Sequence, residues 1–118
     1  MLAPSLVAHT DLHRHHVAVA VTGPLATADH GAALQTACLP LPPSYGLIVD
    51  LSAVTFVTDT GLHSLKELAR RARADGRSIA FVCSELMLRA ELVLADLDLL
   101  APVLQATEQA YPLVGFAA

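Results

Sequence analysis

Charge is scarce in this sequence: Asp, Glu, Lys and Arg make up 15% of it, against about 25% in ordinary soluble domains. Together with 54% hydrophobic residues this excludes a disordered chain, and it predicts apolar surface left over for a partner. Basic residues are scarcer still. Seven Lys and Arg against eleven acids give a net charge of −4, so the basic stripe that counterion release from a phosphate backbone requires is missing. Nucleic acid is excluded as a ligand on that ground.

The longest stretch without a charged residue, His30 to Val49, has the 20 residues of a membrane span. Pro40, Pro42 and Pro43 remove backbone donors and Gly46 adds freedom, so the stretch must break into a helix end, a turn and a strand, and no membrane span is expected. The N-terminal MLAPSLVAHTDLHRHH lacks a basic start leading into an apolar run, so no secretory signal is expected and the cytoplasm is the expected location. The two cysteines, Cys38 and Cys83, have no CxxC or metal-type spacing and read as reduced, buried thiols. No G-x-S-x-G elbow, P-loop or dinucleotide fingerprint is present, which argues against an enzyme and against any cofactor.

At 118 residues the chain has the length of a single domain, 1–118. Val17, Val19 and Val21 alternate with smaller residues up to Gly23-Pro24, predicting a strand over 16–22, with Ser5 to Asp11 pairing as a hairpin. Thr27 predicts the N-cap of a helix over Ala28 to Cys38, with Ala33, Leu34, Ala37 and Cys38 facing inward, and the following LPLPPS reads as a turn. Gly46 to Leu51 and Ser78 to Cys83 read as strands buried on both faces. Between them Leu62, Leu65, Leu68, Ala69 and Ala72 carry helical spacing that ends at Asp75-Gly76. Ser84 is the expected cap of a helix to about Ala95, Leu99 to Leu104 the last strand, and Thr107 to Tyr111 a final helix stopped by Pro112. The expected fold is therefore α/β, a mixed four- to five-stranded sheet in the order β-β-α-β-α-β-α-β-α.

The segment Asp50-Leu51-Ser52-Ala53-Val54-Thr55-Phe56-Val57-Thr58-Asp59-Thr60-Gly61-Leu62 joins a buried strand to the most regular helix. It resembles the signature of STAS domains, in particular bacterial anti-sigma factor antagonists, approximately D-L-S-x-V-x-F-hydrophobic-D-S-S-G-L. Gly23-Pro24-Leu25 falls where that family has G-E-L-D, Ser84 where it has a serine after the fourth strand, and Ala95-Asp96-Leu97 near its T-G-L. The resemblance implies a non-enzymatic STAS-like module that docks on an anti-sigma factor of the serine-kinase type. The kinase would phosphorylate the first serine after the aspartate. Here Thr58 stands at the aspartate, Asp59 at the phosphoacceptor serine and Thr60 at the second serine, and Ala26 replaces the aspartate of G-E-L-D.

A carboxylate at a helix N-terminus meets unpaired N–H groups and the positive end of the macrodipole, so Asp59 is expected to cap the helix and to imitate part of a phosphate's charge. Thr58 and Thr60 are weaker phosphoacceptor candidates, and Gly61, Leu62 and His63 are expected to complete the docking surface at the helix start. A STAS subunit of an ABC-type transporter complex is the alternative, since such subunits carry a D-T-G-like segment before the same helix. A homodimer is left open.

His9, His13, His15 and His16 bring imidazoles together near the N-terminus, yet no Cys, Asp or Glu cluster completes a ligand set, and an exposed hairpin turn is the preferred reading. His30 and His63 read as solvated helix surface. Arg70, Arg71, Arg73 and Arg77 complement the C-terminal end of the second helix and read as a solvated face.

Overall fold

The computed structural model describes residues 7–12, 16–39 and 45–114. Its strands are β1 (Val7–Leu12), β2 (His16–Leu25), β3 (Gly46–Val57), β4 (Ile79–Val82) and β5 (Val103–Leu104). The helices are α1 (Ala28–Cys38), α2 (Asp59–Ala74), α3 (Leu86–Leu94) and α4 (Thr107–Val114), and a 3-10 turn, Leu97–Leu99, follows α3. Among the described residues the strands form one five-stranded sheet in the order β1-β2-β3-β4-β5. The β1–β2 pair is antiparallel and the other pairings are parallel, so the sheet is mixed as the element order predicts.

β3 and β4 lie inside the sheet, in keeping with their apolar residues on both faces. Val17, Val19 and Val21 of β2, Leu47, Val49 and Leu51 of β3 and Phe81 of β4 enter one large core with Leu34 of α1, Leu65, Leu68, Ala69 and Ala72 of α2 and Leu88 and Leu92 of α3. On the opposite side Ile48, Ala80 and Val82 meet Ala110 of α4 in a smaller cluster. Both cysteines are free and buried. Burial pushes the Cys38 thiol from its ordinary 9.0 up to about 12, opposed in part by the nearby Arg77 guanidinium.

Several local expectations are corrected by backbone chemistry. β2 does not stop at Gly23-Pro24 but continues to Leu25. Gly23 adopts φ of 99°, which a residue with a Cβ resists, and this lets the strand follow β3 through a shift of register between Gly23 and Leu25. β3 is correspondingly longer than Gly46 to Leu51. The first register shift against β2 adds a residue to β3, so the inward sequence jumps from Leu51 to Val54, and a second adds another between Val54 and Val57. α3 is capped by Glu85, whose carboxylate accepts the Leu88 N–H at 2.6 Å, and not by Ser84.

The last strand shrinks to Val103–Leu104 because the chain first makes the 3-10 turn, entered through Asp96 at φ of 66°. α4 runs through Pro112 to Val114, and Ala33 of α1 is exposed where Gly31 is buried instead. Arg77 is only 4% exposed and donates to the Cys38 carbonyl at 2.9 Å, so it closes the end of α1 and does not belong to a solvated face. Arg70 and Arg71 do lie exposed, beside Glu67 at 3.8 and 3.5 Å. The LPLPPS turn beyond Leu39, His13 and His15 lie outside the described residues.

Candidate functional site

The junction between β3 and α2 is assembled from both ends of the D-L-S to G-L segment. At its start, the first bulge of β3 leaves the Ser52 N–H without a ladder partner, and Asp50 Oδ1 accepts it at 3.0 Å. Ser52 Oγ in turn accepts the Ser84 N–H at 3.0 Å, which ties the β4–α3 connection to β3. The aspartate and serine of the motif therefore hold the strand in shape, a role that their place in the motif does not reveal.

At the other end, the N-cap of α2 is Thr58 and not Asp59. Thr58 has extended backbone, and its Oγ1 accepts the Gly61 N–H at 3.3 Å while donating to the Ala26 carbonyl at 2.7 Å. The Thr58 N–H also donates to the Leu25 carbonyl at 3.1 Å. Gly61 is buried in the same contact: a Cβ there would stand 1.8 Å from the Leu25 carbonyl oxygen, so this turn of α2 seats on β2 only with glycine. Gly61 thus places the turn and is closed to a partner, whereas His63 is exposed and Leu62 half-buried.

The third tie comes from α1. Thr27 Oγ1 accepts the His30 N–H at 3.2 Å, and His30 Nδ1 accepts the N–H groups of Thr27 at 3.3 Å and Ala26 at 3.1 Å. This reciprocal cap replaces the solvated role expected of His30. It also means that Ala26, where the resembled family carries an aspartate, is fixed by its main chain: His30 takes its N–H and Thr58 takes its carbonyl. The start of α2 is rigidly held from two neighbouring elements.

Asp59 and Thr60 stand exposed in the first turn of this held helix. Among the described residues neither side chain makes a hydrogen bond or an ion pair, so the Asp59 carboxylate presents a free negative charge at the positive end of the α2 dipole. Beside it opens a cavity of about 170 Å³ lined by Val57, Thr58, Asp59 and Leu62 on one wall and by Glu91 and Leu92 of α3 with Ala95 at its C-terminal cap on the other. Glu91 carries no sequence signal for this position, because its partner wall comes from an element 32 residues earlier in the chain. Among the described residues no group of three His, Cys, Asp or Glu is placed to hold a metal ion, and no helix is long and apolar enough to cross a membrane.

Comparison with solved structures returns the same arrangement of elements. An anti-sigma factor antagonist from Mycobacterium paratuberculosis is similar with a TM-score of 0.78 at 24% identity, covering 94% of this chain and 95% of its own. A putative anti-sigma factor antagonist from Thermotoga maritima is similar with a TM-score of 0.76 at 14% identity, over 92% of this chain and 94% of its own. The murine solute carrier 26 family member A9 anion transporter contains a region of the same fold, with a TM-score of 0.65 at 16% identity over 92% of this chain and 21% of the transporter. No curated protein matches the chain significantly. The family model described as "Mlab, STAS domain" matches residues 8–105. It spans β2 to β5 with the whole D-L-S to G-L segment, and on that match the chain belongs to the STAS domain family.

Proposed function

We propose that this protein is a non-enzymatic partner-switching module of the anti-sigma factor antagonist kind, acting in the cytoplasm of a bacterium as one domain. It docks on an anti-sigma factor of the serine-kinase type through the exposed residues at the start of α2, Thr58, Asp59, Thr60 and His63, with half-buried Leu62 beside them. The observation that carries this reading is the pairing of a rigidly held helix start with an exposed Asp59 at the position of the family's phosphoacceptor serine. A phosphoserine there would bring a charge of about −1.5 to −2 and three acceptor oxygens, while a carboxylate brings about −1 and two. Asp59 makes the chain a permanent partial imitation of one state of the switch, with no hydroxyl to accept or lose a phosphoryl group. The partner binds ATP; this chain needs no cofactor.

A second reading, a STAS subunit of an ABC-type transporter complex, is favoured by one feature, the Asp59-Thr60-Gly61 sequence at the start of α2. A pull-down of the tagged chain from its own cells, run in parallel with Asp59→Ser, separates the two. Recovery of an ATP-binding serine kinase whose yield changes between the two baits supports partner switching. Equal recovery of a transporter ATPase by both baits supports the second reading, and recovery of neither class overturns both.

A further inference from the structure

Helix α3 is apolar on two opposite faces. Leu88 and Leu92, four residues apart, enter the core, as amphipathic spacing requires. The opposite side carries Leu86 at 65% exposure, Met87 at 69%, Val93 at 40% and Leu94 at 83%, with Ala90 between them. At 100° per residue these five positions fall within about 120° of arc, and the centre of that arc points directly away from Leu88 and Leu92. Leu99 on the following 3-10 turn is exposed as well. A continuous stripe of this kind on a nine-residue helix marks an interaction surface, because solvated apolar stripes bring no stability to the free chain.

The charges around the stripe say what covers it. Glu85 and Glu91 of the α3 segment and Asp96 and Asp98 after it are all exposed. Arg89, the one base of the helix, turns away to donate to the Cys83 carbonyl at 2.9 Å. Arg73, which reaches the Leu100 carbonyl at 3.4 Å beside Leu99, is one cation against these four carboxylates, so two copies meeting stripe to stripe would bring predominantly acidic rims together and a homodimer through α3 is disfavoured. An apolar groove bordered by Lys and Arg fits both the stripe and its rim.

We propose that α3 is a docking helix for a different protein, which receives Leu86, Met87, Val93 and Leu94 in an apolar groove rimmed by basic residues. This rests on the proposed function only in requiring a heterologous protein partner. The cavity beside the start of α2 is lined from α3 by Glu91, Leu92 and, just past its end, Ala95, whereas Leu86, Met87, Val93 and Leu94 lie outside it on the other side of the helix.

Photo-crosslinking in the native cell tests it, with benzoylphenylalanine at position 94 and, as a control on the exposed far end of α2, at position 70. The expected result is a crosslink from position 94 alone to one heterologous protein, at a peptide with apolar residues flanked by Lys or Arg. That protein, once purified, should bind the Leu94→Glu and Met87→Glu variants about 30-fold or more weakly than wild type, at unchanged melting temperature. Glu91→Lys with Asp98→Lys should weaken binding and flatten its dependence on salt. Crosslinks to a second copy of the chain, to lipid, or no more than at position 70 overturn the proposal, as does undiminished binding of both Glu variants. A crosslinked partner meeting the peptide and affinity criteria that is not a kinase refutes the anti-sigma reading and leaves the docking helix standing. A captured kinase that binds the Glu variants normally does the reverse.

Discussion

At the level of single residues, the site is defined by what each side chain of Thr58-Asp59-Thr60-Gly61 is already committed to. Thr58 spends its hydroxyl twice, as donor to Ala26 and acceptor from Gly61, and Gly61 has no room for a side chain against Leu25. Glycine inside a helix ordinarily costs about 0.5–1 kcal/mol relative to alanine, so on an open helix Gly61→Ala would stabilise. Here the added carbon meets a backbone carbonyl that cannot rotate aside, and overpacking of that kind costs about 1–3 kcal/mol or more. The clash wins, and Gly61→Ala should lower the urea midpoint; an unchanged or higher midpoint would show that α2 can slide off β2 cheaply. The apolar alternation and the motif are visible in sequence because they depend on neighbours along the chain. The roles of His30, Arg77 and Glu91 are not legible in sequence because their partners, the Ala26 and Thr27 amides, the Cys38 carbonyl and the α2 wall of the cavity, are set by turns and packing that no spacing rule encodes.

Among the elements, α2 is the one whose sequence carries most of its own description. Its buried set, Gly61, Leu65, Leu68, Ala69 and Ala72, follows one face at helical spacing, and Arg71 and Arg73 stand in its last turn as the dipole favours. Leu65 is fully buried in the large core, so Leu65→Ala removes several methylene contacts and leaves a cavity, costing about 2–5 kcal/mol in a denaturant titration. A loss under about 0.5 kcal/mol would mean that the core collapses around the gap. β3 illustrates the opposite case. Its first half announces itself as a continuous apolar run, but Ser52 to Val57 mixes polar and apolar residues because two bulges break the alternation. The strand continues there for reasons of pairing with β2, and its own residues do not betray it.

For the whole molecule, the decisive feature is that sheet and helices converge on one short turn and hold it still. β2 supplies the Leu25 carbonyl, the β2–α1 connection supplies the Ala26 carbonyl, and α1 fixes that connection through His30. On the proposed function, a switch built on such a turn would work by changing charge at a fixed point and not by moving the point, so the identity of the residue at 59 would decide its behaviour. In the wild-type chain that residue has no hydroxyl. Phosphorylation of Thr58 would have to surrender the bonds to Ala26 and Gly61, and Thr60 is displaced from the position by one residue, about 100° around the helix. On the proposed function, incubation of the protein with the serine kinase recovered as its partner and ATP should therefore leave its intact mass unchanged. Asp59→Ser restores a hydroxyl in the first turn of α2, where an added phosphate meets unpaired N–H groups and the dipole, and that variant should gain one phosphoryl group. Stoichiometric phosphorylation of the wild-type chain at Thr58 or Thr60 would show that the switch has shifted by one residue along the helix and has not been fixed by Asp59.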